Sequence, residues 1–273
     1  MFANLLAAPF VFLALAFLYI AWDVDSDYAV WIAPFVLISA LIYTFSPQIN
    51  WWWYSQRPPA LRPGILALLE RHCGFYRRLD EVGQKRFRDR VALFVMGTDW
   101  QPMGWPEETL PPDVQAVLAA QAVSLTFHRE RFLFDKFEKV IVFPRPFSTP
   151  AYPYDHASEL FEGDGCLLFS AEQVMQAFLQ PTQWYNVGLH EYAHALVRSH
   201  PKADWPQWAD EGPVWQQLEA LSQMSRGHME SVVGLQEPLP LLPVVLHHFI
   251  SFPEAFRAEM PEVAERILMM NDK

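Results

Sequence analysis

Residues 1–56 contain no lysine, arginine or glutamate, and their only charged side chains are Asp23, Asp25 and Asp27. Two apolar runs flank that acidic cluster, Phe2 to Trp22 and Val30 to Ser46. The first is long enough to cross a bilayer as a helix, and the second lies at the short end of that range, near 17 residues. Pro9 and Pro34 are compatible with membrane helices. Trp51, Trp52, Trp53 and Tyr54 follow the second run, and such aromatics favour the membrane–water interface. A cleaved signal peptide needs a basic start and a small-residue cleavage site. The first run has neither, and a second apolar run follows at once. The expectation is a unit over 1–56 built on a hairpin of two transmembrane helices, about 2–22 and 30–46.

Positive charge sets the expected orientation. The loop Asp23–Ala29 holds three acids and no base, whereas Arg57, Arg62, Arg71, Arg77 and Arg78 follow the second run. The excess of arginine after the hairpin predicts that this side faces the cytoplasm. The expected location is therefore the inner (cytoplasmic) membrane, with residues 57–273 facing the cytoplasm. A periplasmic domain behind an uncleaved anchor is the competing topology.

The chain has 273 residues, 52% hydrophobic and 15% aromatic, which excludes disorder as its main state. A net charge of −11 argues against a nucleic-acid partner, which would need a basic footprint. Cys73 and Cys166 are the only cysteines; they make no disulfide framework and no thiolate zinc site. Amphipathic periodicity predicts helices over Leu66–Phe75, Lys85–Gly97 and Pro112–Thr126. Strands are expected at Lys139–Phe143 and Cys166–Ser170, separated by a polar, proline-rich loop over Arg145–Gly165. Further helices are expected from Ser170 through Phe178, over Trp184–Arg198 and Trp208–Met224, and over Pro243–Phe252 and Pro261–Met270. Many helices with few short strands give an α+β fold, mostly helical.

Residues 190–194 read His-Glu-Tyr-Ala-His. On a helix, His190 and His194 lie one turn apart on one face. Two imidazoles so spaced can hold one zinc ion, with Glu191 beside them as the general base of a metallopeptidase. A catalytic zinc needs a third protein ligand. Glu211, within Trp208-Ala-Asp-Glu-Gly-Pro213, resembles the third-ligand segment of gluzincin metallopeptidases. Its bland alternative is an acid placed at a helix N-terminus for the dipole.

Asn186-Val-Gly-Leu-His-Glu-Tyr-Ala-His194 resembles the motif segment of the Mlc titration factor A family of zinc-dependent peptidases. Leu79–Phe94, Ala119–Leu125, Val140–Phe147, Cys166–Ser170 and His247–Phe256 resemble further family segments, in the same order. The resemblance implies a zincin-like metallopeptidase domain over 57–273, Zn2+ as cofactor, a peptide or protein substrate, and a possible regulatory protein partner. The family's third zinc ligand, a glutamate thirteen residues before a proline, would fall at Pro240, which cannot bind zinc. The candidate third ligands are therefore Glu211, then His247, then Glu237. A catalytically silent relative that binds a protein partner is the alternative function. Tyr185, Tyr192 and Tyr152 could donate to an oxyanion, although packed aromatics are commoner. Asp155, His156 and His200 read as surface loop residues, and His228 has no assigned role.

Overall fold

The computed structural model describes residues 2–271. The chain divides into two compact units, Met1–Pro59 and Ala60–Lys273.

The N-terminal unit is helical. Helix α1 (Phe2–Asp23) and helix α2 (Ile32–Thr44) are joined by a 3-10 turn over Ser26–Trp31, and α3 (Ser46–Gln56) follows. The segments Phe2–Asp23 and Ser26–Thr44 are long and apolar enough to cross a membrane. Their side chains are not sequestered in a core: Leu5, Phe12 and Trp22 are 73%, 71% and 89% exposed. Such exposed apolar surface favours membrane association over two core helices of a soluble protein. Phe17 stacks on Phe35 at 5.5 Å between α1 and α2, and Phe2 stacks on Trp53 of α3 at 3.9 Å. The tryptophan cluster expected as an interfacial tail is thus helical.

The second unit starts with α4 (Pro63–His72) and α5 (Gly74–Arg77), so the expected helix over Leu66–Phe75 is broken at Cys73. Helix α6 (Glu81–Gly97) begins where Asp80 accepts the Gly83 N–H, a side-chain cap that ends the chain's freedom there. Helix α7 (Pro112–Thr126) is buried from Ala116 to Thr126. After the sheet come α8 (Ala171–Leu179), α9 (Val187–Ser199), α10 (Gly212–Ser222), α11 (Arg226–Val233), α12 (Leu241–Ser251), α13 (Pro253–Glu259) and α14 (Pro261–Asn271). Two helix limits differ from expectation. Asn186 caps the Leu189 N–H, so α9 begins at Val187 rather than at Trp184. Helix α10 begins at Gly212 rather than Trp208, leaving Glu211 as its N-cap residue.

Four strands form one sheet in the order β1-β2-β4-β3: β1 (Asp99–Pro102), β2 (Lys139–Phe143), β3 (Ser158–Phe161) and β4 (Cys166–Ser170). The first three in that order are parallel, and β3 runs antiparallel to β4 at the edge. Strands β1 and β3 were not expected; the second lies inside the stretch read as a loop over Arg145–Gly165. Side-chain alternation sorts the two faces. Val140, Val142, Leu167 and Phe169 enter the main core, while Cys166 and Leu168 pack with Phe147 on the reverse side. Register pairs Ser158 with Phe169, so Ser158 shares the core-facing side with Phe169. Helix α9 lies against that side and also packs on α7 and α12.

The start of β3 is tied down by the Ala157 N–H, which donates to the Val233 carbonyl at 2.8 Å. Gly234 follows with φ +84, and a Cβ there would stand 2.9 Å from the His156 Cα. A Gly234→Ala variant should therefore lose about 1–3 kcal/mol of stability, read as a lowered denaturation midpoint of the full-length protein with its helical circular dichroism retained.

Candidate active site on helix α9

Three polar side chains of α9 enter the interior together. His190 and Glu191 are each 2% exposed, while the His194 side chain is 22% exposed. Tyr185, just before the helix, is 1% exposed, and its hydroxyl lies 2.8 Å from His190 Nδ1. That contact fixes the imidazole plane and leaves Nε2 as its remaining nitrogen. The Ser158 hydroxyl donates to Glu191 Oε2 at 2.8 Å, and Glu191 Oε1 faces His194 Nδ1 at 3.3 Å. His194 Nε2 lies 3.5 Å from Arg198 Nε, one turn on, and Arg198 pairs with Glu162 at 2.9 Å.

Burial pushes the His190 pKa down to about 4, partly offset by the Glu191 charge. Burial opposes ionisation of Glu191 too. Hydrogen bonding to His194, the nearby imidazoles and the Ser158 hydroxyl outweigh it, and the carboxyl titrates below its ordinary value. Tyr185 is raised well above its ordinary value, first by burial and then by Glu191. Near neutral pH the site thus holds a neutral imidazole, a protonated phenol and an ionised carboxylate.

The other candidates are dispersed. His247, on α12, is 3% exposed, and its ring packs on the far partner of His190, Tyr185, at a centroid distance of 4.4 Å. Its Nε2 has no hydrogen-bond partner, and burial holds it well below its ordinary pKa. Glu211 is exposed at the α10 N-terminus, with no side-chain capping bond. Glu237 is exposed in the loop before α12, beside Tyr152. Pro240 is the N-cap residue of α12. Among the described residues, no group of three or more His, Cys, Asp or Glu stands close enough to hold a metal ion. His190 and His194 thus offer two imidazole donors of the kind a metal ion takes, and among the described residues no third ligand stands assembled beside them.

Tyr192 is a packed aromatic, with Phe94, Phe134 and Phe169 at centroid distances of 5.8, 5.3 and 5.4 Å. Asp155 and His200 are exposed, but His156 is not a surface residue: it is 1% exposed, with Nε2 3.2 Å from Glu159 Oε2. The short strand β3 draws it inward. Sequence reasoning missed Ser158, whose contact with Glu191 depends wholly on the β3–β4 register.

His190 and His248 both titrate near 4 when folded, against 6.5 for an ordinary histidine. A depressed folded pKa means stability is full above about 6.5 and is lost as pH falls towards 4, at about 1.4 kcal/mol per pH unit for each histidine. Ser158→Ala removes a hydrogen bond to a charged, buried carboxylate and should cost about 1.5–3 kcal/mol. That loss is present at neutral pH, where Glu191 is ionised, so the variant should reach its acid-unfolding midpoint at a higher pH than the wild type, as followed by fluorescence, although Glu191 itself then contributes less to the pH dependence.

The family model for the glucose-regulated metallo-peptidase M90 matches residues 50–269, which covers the second unit almost from end to end. No curated protein matches the chain. This is the family of Mlc titration factor A, the one that the motif segment resembles. With the match spanning most of the chain, the protein belongs to the M90 metallopeptidase family.

Proposed function

We propose that this protein is a membrane-anchored, zinc-dependent peptidase whose working groups are His190, Glu191 and His194. The observation that carries the reading is the ionised, buried Glu191 held between two imidazoles of one helix, in a member of a metallopeptidase family. Zinc bound to the two imidazoles would supply electrostatic polarisation of a peptide carbonyl and a lowered pKa for water. Glu191 is the general base that takes a proton from the attacking water. Ser158 and His194 keep that carboxylate ionised and aimed. His190 Nδ1–H donates a hydrogen bond to the Tyr185 hydroxyl oxygen, which selects the tautomer with a free Nε2 lone pair. Strand β3 is the sheet edge nearest this helix, and an edge suits an extended peptide through main-chain hydrogen bonds. The substrate is thus a peptide or an unstructured protein segment. Glu211 is the preferred third ligand, ahead of His247 and Glu237, and it requires the loop before α10 to shift towards the histidine pair.

A second reading is favoured by specific observations. The third ligand is not assembled, Pro240 stands where the family's glutamate is expected, and Arg198 places a cation beside His194 Nε2. A silent relative that binds a regulatory protein partner would tolerate all three.

Two measurements separate the readings. The purified full-length protein in detergent should carry about one zinc per chain after loading, lost in a His190→Ala, His194→Ala double variant. Glu191→Gln should keep the zinc and lower kcat on a quenched-fluorescence peptide by about 10²–10⁴-fold. A wild-type chain that takes up no zinc leaves the silent-relative reading.

The anchor is residues 2–46, and the arginines after it support a cytoplasmic domain. Alkaline phosphatase fused after Lys273, outside the described residues, should be inactive. An active fusion would put the domain in the periplasm.

A further inference from the structure

A cavity of about 270 Å³ lies within the second unit, away from the polar face of α9 that carries His190 and His194. Its walls come from α4, α5, α7, α8, the α9 N-terminus and the α12 C-terminus. That volume is just below the usual range for drug-sized ligands, about 300–1,000 Å³, so it suits a small molecule. Three features describe what would fill it.

The first is an unpartnered amide. Gln121 of α7 lines the cavity and is 4% exposed, yet neither its Oε1 nor its Nε2 has a hydrogen-bond partner. Leaving such a group unsatisfied costs about 1–3 kcal/mol, and an orphaned buried amide calls for a partner. Its position is built rather than incidental. Gln121 Oε1 lies directly against Gly188 in the first turn of α9, in space that any Cβ on that residue would take. The second feature is charge. In a chain of net charge −11, Arg77 and Arg78 line the cavity and, among the described residues, no aspartate or glutamate does. Arg78 Nη2 also holds the Ile250 carbonyl at 3.0 Å, and Glu254 acts on it from outside the cavity. The α9 N-terminus adds its own field: Asn186 caps Leu189 and leaves the first-turn N–H groups of Val187 and Gly188 without intrahelical partners. The third feature is an apolar wall, with Phe178, Leu189 and Phe252 in the lining.

We propose that this cavity binds a small organic acid, with its carboxylate at Arg77, Arg78 and the α9 N-terminus, its polar substituent on Gln121 and its apolar body against Phe178. No residue of the proposed catalytic set takes part, so the site stands whether or not the protein is a peptidase. An inorganic anion would satisfy the arginines and leave the apolar wall unused. Because the ligand rests on the first turn of the helix that carries His190 and His194, its binding would be felt where those side chains are held.

The test uses the full-length protein in detergent and isothermal titration with 2-hydroxy-3-phenylpropionate, its neutral amide and inorganic phosphate. The expected result is saturable binding of 2-hydroxy-3-phenylpropionate, with at least about ten-fold weaker binding of the amide and of phosphate. Gln121→Met, which leaves the ligand hydroxyl without a partner, should weaken 2-hydroxy-3-phenylpropionate at least about ten-fold. Should that core change impair folding, Gly188→Ala serves instead: alanine favours the helix, and its Cβ only has to displace the end of the Gln121 side chain. The exposed Arg77→Gln variant should weaken binding as well. No binding by the wild type would overturn the proposal, as would equal binding of phosphate or affinity indifferent to all three variants.

Discussion

Glu191 is a carboxylate at 2% exposure that nevertheless titrates below its ordinary value. Moving such a charge from water into a protein interior costs several kcal/mol unless hydrogen bonds and opposite partial charges replace its hydration. Here the replacement comes from separate parts of the chain: Ser158 at the sheet edge, His194 one turn along the helix and the imidazole of His190. Each must be in register for the others to be tolerable. The antiparallel pairing of β3 with β4, the cap that starts α9 at Val187, and the packing of α9 on α7 and α12 all serve that arrangement.

The same helix presents a second set of demands at its N-terminus. Gly188 is small so that Gln121 can reach it, and Asn186 caps the first turn. The polar face and the cavity side are thus two readouts of one rigid element. A helix that rises 1.5 Å per residue brings Gly188 and His190 within one turn of each other, so the cavity wall and the buried imidazole share a support. The buried histidines of α12 extend this polar interior. His247 packs on Tyr185, and His248 Nδ1 contacts the Val244 carbonyl, both rings held neutral by burial.

The N-terminal unit follows different physics. Its helices expose leucine, phenylalanine and tryptophan around their circumference, which water penalises and hydrocarbon does not. Backbone polar groups are satisfied inside each helix, as a bilayer requires. The Asp25 side chain caps the Asp27 N–H in the turn between α1 and α2, so the acidic cluster also closes the hairpin.

The polypeptide sequence by itself determined the two apolar spans, the strands β2 and β4, and the helix that carries His190, Glu191 and His194. In each, hydrophobic periodicity or a cap acts over a few residues and leaves a local trace. Strands β1 and β3 left none. Asp-Trp-Gln-Pro and Ser-Glu-Leu-Phe are four residues each, and the first owes its extended form to β2 and the second to β4. Only the tertiary structure decided that Ser158 meets Glu191, that His156 turns inward, that Tyr185 stands between His190 and His247, and that Glu211 lies exposed at a helix cap. These are contacts between residues far apart in the chain, fixed by strand register and helix packing, and no local pattern encodes them.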